Sequence, residues 1–299
     1  MSRFSRIATL GIASLLILAF ATTATASQRR KNSAAQIPWH TNYSKAMAAA
    51  KKSHKMLFIY FHSGRRGGVS RFETQSLAPA VVKPTVNHYV WLKLPVNAGI
   101  RINGRTTRLL SHAAFREMHG RQGIAIVDMK HKGKNYGRTV SMFPFTQGKY
   151  YTAASMKVIL DLPPGSLTQR TMIYAVRIHP EAPASTHGKL NAVLASEAES
   201  HSRHQAQIRL QGHHSWDTRF HRINNRLSSG VLAQEVVAES WPNEELVEAA
   251  VECVDCWRQS PGHWSAVKQA HPVFGYDMKR GRNGIWYATG IFGNRFFGR

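Results

Sequence analysis

The sequence is poor in cysteine and in acidic residues. Cys253 and Cys256 are the two cysteines among 299 residues, and 16 Asp and Glu stand against 40 Lys and Arg. With so few cysteines the chain is not a small disulfide-stapled protein, and its cores must be hydrophobic. No apolar run after the first 27 residues is long enough to cross a bilayer. The composition therefore excludes a disulfide-rich mini-protein and a multi-span membrane protein.

The two cysteines form C-x-x-C inside a segment with helical periodicity. On a regular helix, residues three apart share a face, but their Cβ atoms stand farther apart than a disulfide requires. We interpret Cys253 and Cys256 as two small side chains of a helix. A redox or metal pair is the alternative.

The N-terminal segment has the pattern of a secretory signal. Arg3 and Arg6 precede an apolar run that ends in the small residues Ala24-Thr25-Ala26. The sequence predicts a signal peptide over residues 1–26 and a secreted or periplasmic protein, with an uncleaved anchor as the alternative. The mature chain of roughly 270 residues is long enough for two domains.

Charge is distributed unevenly along the chain. Residues 27–190 carry 26 Lys and Arg against 5 Asp and Glu, whereas residues 191–299 carry 12 against 11. The first part is therefore expected to attract an anionic surface or polyanion: lipid headgroups, acidic polysaccharide or released DNA. Because export is predicted, no intracellular nucleic-acid role is expected. A merely solvated basic surface is the alternative.

The first part alternates helix and strand patterns. An amphipathic helix in NYSKAMAAAKKSHK leads to the apolar runs MLFIYF, YVWLKLPV and GIAIVDM, which predict strands of a βαβ unit with a parallel pair. The run from Trp39 to Asp128 resembles a secreted thioredoxin-like domain. The positions that the resemblance gives to the C-x-x-C cysteines fall near Arg66 and Val69, so no thiolate is present and the domain is predicted to be redox-inactive, not an oxidoreductase.

The loop before the next predicted helix is rich in arginine and glycine. Arg65, Arg66, Gly67 and Gly68 precede a helix expected from Val69. Free N–H groups at a helix N-terminus favour anions, so these four residues are a candidate anion site. A tight turn with solvated arginines is the alternative.

The middle of the chain predicts a domain boundary. Proline-rich PEAPAST favours a linker over residues 166–187, which would separate a thioredoxin-like domain at 37–165 from a second domain at 188–299. TQRTMIYAVRIH, within that linker, predicts a strand of either domain.

The last part combines helical segments with a strong hairpin signal. A long helix is expected from Leu190 to Gly212, and a second begins after Asn243 as N-cap. The end of the chain predicts two strands joined by a Gly/Asn turn, in FGYDMKRGRNGIWYATGIFG. Helices around such a sheet indicate a three-layer α/β/α sandwich.

Three motifs of this part resemble the CAP superfamily of cysteine-rich secretory, antigen 5 and pathogenesis-related 1 proteins. They are GHHSWDTR, AQEVVAESW and WRQSPGHWSAV, in which we expect His263 to be held by the proline-containing turn. The predicted fold class is thus α/β, a thioredoxin-like βαβ domain followed by a CAP-like α/β/α sandwich.

The resemblance implies a cleft formed by two histidines and a carboxylate. It assigns these roles to His213, Glu235 and His263, with His214 as rival to His213. A divalent metal such as zinc is possible there, although a further glutamate found in animal and plant members has no counterpart. The predicted function is that of a binding protein for a lipid, glycan or protein ligand. The alternative is a hydrolase that uses metal at the same cleft.

Overall fold

The computed structural model describes residues 37–64, 66–102, 104–146 and 150–295 as a mixed α/β structure. Within these ranges the strands are β1 (Trp39–His40), β2 (Met56–His62), β3 (Tyr89–Pro95), β4 (Gly99–Ile102), β5 (Arg105–Arg108), β6 (Gly123–Val127), β7 (Thr139–Pro144), β8 (Lys189–Leu190), β9 (Val231–Glu239), β10 (Val273–Arg280) and β11 (Trp286–Arg295). The α-helices are α1 (Tyr43–Ser53), α2 (Arg66–Arg71), α3 (Pro79–Val82), α4 (Ala153–Leu160), α5 (Leu167–Ile178), α6 (Ala192–Ile208), α7 (Trp216–Asn224), α8 (Leu246–Gln259) and α9 (Pro261–Lys268).

The first sheet has five strands in the order β1-β3-β2-β6-β7. β1, β2 and β3 run parallel, whereas β6 pairs antiparallel with the other side of β2, and β7 pairs antiparallel with β6. The parallel pair of β2 and β3 is connected through α2 and α3, as a parallel connection requires. The helix expected from Val69 begins earlier, at Arg66.

The side chains of β2 are buried on both faces of this sheet. Leu57, Ile59 and Phe61 point to a core shared with α1, and Phe58 and Tyr60 point to the opposite core. A strand buried on both faces is a continuous apolar run, which is why MLFIYF shows no alternation.

The second sheet has four strands in the order β8-β10-β11-β9. Helices α6 and α7 pack on one face, and α5, α8 and α9 contribute to the core on the other, which gives three layers. Gly275 of β10 allows α6 to approach closely, since a Cβ there would lie 2.2 Å from the Ala195 backbone nitrogen. The expected hairpin is present: β10 and β11 are antiparallel and joined by a turn with Gly284 at a φ of +80°.

More than half of the linker expected over residues 166–187 is instead the helix α5, Leu167–Ile178. Helix α5 begins with a capping box at Ser166, and every residue from Gln169 to Val176 is buried. It contacts β7 of the first sheet as well as β10 and α8 of the second part. TQRTMIYAVRIH is therefore helix and not strand, and the contacts group the described residues from 37 to 295 into one compact unit. The prolines that indicated a linker follow the end of α5.

Two further local expectations were wrong. His263 does not lie in a turn: Pro261 starts α9, because proline is well tolerated at the first position of a helix, and His263 is its third residue. Asn243 does not cap α8, whose N-cap is Glu245; Asn243 has a φ of +64° and belongs to the preceding turn.

The predicted signal peptide, residues 1–26, lies outside the described residues. In the described ranges no helix combines the length and the apolar character that crossing a membrane would need.

Candidate functional site

Glu235 is the buried centre of the candidate site. It lies on β9, opposite Ile291 of β11, and it shares with Ala233 the face of the sheet that α6 and α7 cover. Its side chain is 1% exposed. A carboxylate buried this deeply requires partners that offset the loss of water.

Arg219 of α7 is the main partner of this carboxylate. Its two terminal nitrogens contact the two carboxylate oxygens, Nη1 with Oε1 at 3.1 Å and Nη2 with Oε2. The guanidinium also lies 5.3 Å from the centre of the Trp216 ring, which fixes its plane. Burial by itself raises the pKa of Glu235, but hydrogen bonds from His213 and Arg219 together with the Arg219 charge outweigh it and lower that pKa. Glu235 is therefore ionised at neutral pH.

His213 projects from the loop between α6 and α7 onto Glu235. Its Nδ1 lies 3.0 Å from Oε1 of Glu235. An ionised carboxylate only accepts hydrogen bonds, so Nδ1 carries the proton and donates. In the neutral ring this leaves the lone pair on Nε2, which points away from Glu235. The side chain is 43% exposed, so that nitrogen belongs to an open site.

His263 meets His213 at this second nitrogen. The two Nε2 atoms are 3.2 Å apart, and the ring centroids are 5.4 Å apart. Burial and, to a lesser extent, His213 lower the pKa of His263, although Glu235 opposes the shift. When Nε2 of His213 carries a lone pair, the Nε2–H of His263 donates to it. The Nδ1 of His263 has no hydrogen-bond partner among the described residues and can accept from a ligand.

The structure thus brings His213, Glu235 and His263 together and leaves His214 aside. The Nε2 atom of His214 faces the backbone oxygen of Leu210 at 3.2 Å, and its ring lies beside His204. Of the two adjacent histidines, His213 is the one that faces the carboxylate.

Two residues that the sequence motifs did not bring forward complete the buried side of the site. One is Arg219, although it is the last residue of the GHHSWDTR motif. The other is His201 of α6, whose Nε2 lies 2.9 Å from the Gly212 oxygen and 3.8 Å from Glu235 Oε1. Burial lowers the pKa of His201 to about 4. The available signal was its spacing of seven from Leu194, which places an ionisable residue on the buried face of α6.

The three-ligand metal site that the resemblance implied does not fit this geometry. Both oxygens of Glu235 are engaged by Arg219, and Oε1 also accepts from His213. His213 therefore uses its Nδ1 on the carboxylate, so the two residues do not direct lone pairs to a common point. Among the described residues no group of three or more His, Cys, Asp or Glu is arranged to hold a metal ion.

The candidate anion site of the first part is only partly described. Arg65 lies outside the described residues, and α2 begins at Arg66 and has six residues. A Cβ on Gly67 would meet nothing within 4 Å, so this glycine is not needed for a close approach of other parts of the chain. The anion site at Arg65, Arg66, Gly67 and Gly68 stays a prediction.

Both cysteines are free thiols on α8. Cys253 is buried, and burial raises its pKa far above the usual range for a thiol. Burial also raises the pKa of Cys256 to about 11, and the carboxylate of Glu252 adds to the shift. Neither sulfur is a thiolate at neutral pH.

Comparisons with known proteins add little to this geometry. No family model matches the chain, and no curated protein matches it. Among solved structures, the chain is similar to an outer surface protein from Borrelia burgdorferi, with 19% identity and a TM-score of 0.30 over 36% of this chain and 78% of that one. A likeness this low carries no argument about fold or function.

Proposed function

We propose that the protein is an exported binding protein in which the His213–His263 pair forms the polar end of a ligand cleft. The observation that carries this proposal is the distance of 3.2 Å between the two Nε2 atoms. The His213 ring is oriented by its hydrogen bond to Glu235, which is itself held by the buried ion pair with Arg219. Fixed imidazoles with one open side can donate to or accept from a lipid headgroup, a glycan hydroxyl or a peptide. The proposal assigns no catalysis to them.

The chain topology supports the two fold resemblances that underlie this proposal. The parallel β2–β3 pair, joined through helices, is what a thioredoxin-like first part requires. A four-stranded sheet between helix layers, closed by the β10–β11 hairpin, is what a CAP-like second part requires. Because α5 packs on β10 and α8, we assign it to the CAP-like part, which then begins near residue 166. The thioredoxin-like part would be redox-inactive.

The basic first part would hold the protein on an anionic surface. The two-stranded β4–β5 hairpin exposes Arg101 and Arg105, and neither forms an ion pair with a described residue. The last turn of α1 adds exposed Lys51 and Lys52. Exposed cations without acidic partners are the ones that a polyanion can neutralise.

The alternative function, a metal-dependent hydrolase, would need a carboxylate free to bind metal or activate water. Glu235 is occupied by Arg219, so we favour the binding function. Calorimetric titration of the full chain with zinc chloride separates the two. Zinc binding that is lost in His213→Ala, Glu235→Gln and His263→Ala alike would favour the hydrolase.

Side-chain NMR of the two rings tests the binding function. Sodium phosphate, N-acetylglucosamine and a short-chain phosphatidylcholine serve as probes for anion, glycan and lipid ligands. We expect at least one probe to shift the ring signals of His213 and His263 with saturation, and the His213 response to be lost in His263→Ala. If none of the three classes shifts either ring, the proposed cleft is wrong.

Charge reversals on two different hairpins test the docking surface. We expect Arg101→Glu with Arg105→Glu to weaken binding of the full chain to heparin and to anionic vesicles. Arg280→Glu with Arg282→Glu makes the same charge change on the exposed turn of the β10–β11 hairpin and should have a smaller effect. Affinity should fall steeply with added salt, because exposed charges are screened within about 8 Å at physiological ionic strength. Equal losses in both variants would refute a docking role confined to the first part.

A further inference from the structure

A cavity away from the histidine pair lies where α5 and α8 meet the end of β7. Its volume is about 370 Å³. Tyr150 and Tyr151 from the segment after β7, Tyr174 of α5, and Val251 of α8 form much of its wall. The remaining wall includes Glu248 and Glu252. None of these residues takes part in the site around Glu235.

The three tyrosine rings are held in place by aromatic packing. The rings of Tyr151 and Tyr174 are 6.1 Å apart at an angle of 77°, so they form two sides of a corner. Tyr150 packs edge-on against Phe145 at 5.0 Å. The hydroxyl of Tyr151 donates to the backbone oxygen of Pro144 at 3.3 Å. Ring faces carry negative electrostatic potential, and rings fixed at such angles can surround a cation from more than one side.

Among the described residues, the two glutamates of the cavity lack a basic partner. Glu248 and Glu252 are one turn apart on α8 and therefore share a face. Within the described residues neither forms an ion pair, whereas Glu245 on the same segment pairs with Arg121. Burial raises the pKa of neighbouring Glu244, and the charges of Glu252 and Glu248 raise it further. The first part of the chain is strongly basic, so two carboxylates without an ion pair among the described residues give this cavity wall the opposite sign of charge.

We propose that this cavity binds an organic cation with a methylated nitrogen, of the trimethylammonium type. A quaternary ammonium cannot donate hydrogen bonds, so its recognition depends on ring faces and nearby negative charge. Tyr150 and Tyr151 supply the ring faces, Tyr174, which is 2% exposed, packs against Tyr151, and Glu248 and Glu252 supply the charge. The apolar wall at Val251 accepts the methyl groups. A free quaternary amine and the headgroup of a choline lipid carry the same group.

Choline and its neutral isostere 3,3-dimethylbutan-1-ol are the probes that test this proposal. NMR titration of the full chain should show choline binding at least tenfold more tightly than the alcohol, which has the same shape without the charge. Dihexanoylphosphatidylcholine, as a third probe, distinguishes the two sources: tighter binding than choline assigns a lipid headgroup, and weaker binding assigns a free amine. Equal affinity for choline and the alcohol, or no binding of choline and the lipid, overturns the proposal.

Charge-matched variants locate the binding. Glu248→Gln with Glu252→Gln should weaken choline binding at least tenfold. Glu239→Gln with Asp255→Asn removes the same charge from residues that do not line the cavity and should change the affinity less than twofold. His263→Ala should also leave choline binding unchanged. A Glu248/Glu252 double variant that binds choline like the unmodified chain places the cation elsewhere and refutes the site.

Discussion

Replacement of Arg219 by methionine is the most direct test of the buried ion pair. Met keeps much of the apolar stem and the contact with Trp216, but it leaves Glu235 without its guanidinium partner. The two side chains are 9% and 1% exposed. Removing one member of a buried pair costs about 3–5 kcal/mol. Because the hydrogen bond from His213 remains, we expect a loss of about 3 kcal/mol in the free energy of unfolding at pH 7.

The pH dependence of this loss identifies the carboxylate as its source. In the unmodified protein the pKa of Glu235 is lowered, so its contribution to stability is present above the unfolded value and is lost as the pH falls through the folded pKa. Without Arg219 the folded pKa rises, because the burial that opposes ionisation is no longer outweighed. The excess destabilisation should then be full at pH 7 and shrink as the pH falls and Glu235 becomes protonated. Urea unfolding followed by tryptophan fluorescence at several pH values measures this.

A matched variant on the same helix provides the control. Arg222 of α7 pairs with Glu197, but its side chain is 52% exposed and Arg226 contacts the same carboxylate. Arg222→Met should therefore cost less than about 1 kcal/mol. Arg219→Met combined with Glu235→Gln should be less destabilised than Arg219→Met alone. If Arg219→Met is no more destabilising than Arg222→Met, the ion pair does not hold the site as argued.

Three further outcomes are expected. The ring of His201, with a pKa of about 4, should stay neutral in NMR titrations down to about pH 5, and the stability tied to it should be lost as the pH falls from about 6.5 toward 4; a ring that titrates near 6.5 contradicts its burial. His263→Ala should lower the free energy of unfolding by only about 0.5–1.5 kcal/mol, since it removes one partly exposed hydrogen bond, and a global loss of fold in circular dichroism would make His263 structural. Because both thiols are protonated, the protein should not reduce insulin disulfides, and serine at Cys253 and Cys256 should leave that assay unchanged; thiol-dependent turnover would contradict this.

The segments that the sequence predicted well are those whose pattern is local. MLFIYF, YVWLKLPV and GIAIVDM became β2, β3 and β6 because an apolar run flanked by polar turns needs no distant partner to indicate a strand. The β10–β11 hairpin was likewise predictable from its Gly/Asn turn. In α5 the local signal misled. TQRTMIYAVRIH is rich in β-branched and aromatic residues, which are typical of strands, whereas in the structure its residues from Gln169 to Val176 are buried in a helix that contacts both sheets.

The sequence likewise predicted some residues of the candidate site and missed others. The motifs indicated His213, Glu235 and His263 as site residues. In the structure His213 lies within hydrogen-bonding distance of both Glu235 and His263, although each partner is far from it in sequence. The ion pair with Arg219 depends on how α7 packs on β9, which no spacing encodes. Arg219 also engages the carboxylate that a metal would use, so this geometry argues against the metal alternative.

The position of β9 explains how two histidines from different layers reach each other. β9 is the last strand of the second sheet, so its outer side is not covered by another strand in the described part of the chain. His213 follows α6 on one face of the sheet, and His263 lies on α9, whose apolar residues join the core of the other face. The rings therefore meet around a sheet edge, where Gln211 and Asn224 hydrogen-bond to the backbone of β9. A ligand that contacts both rings would tie the two helix layers together across this edge. Its binding should consequently protect the amides of β9 from hydrogen exchange more than those of β11, which is already paired on both sides by β10 and β9.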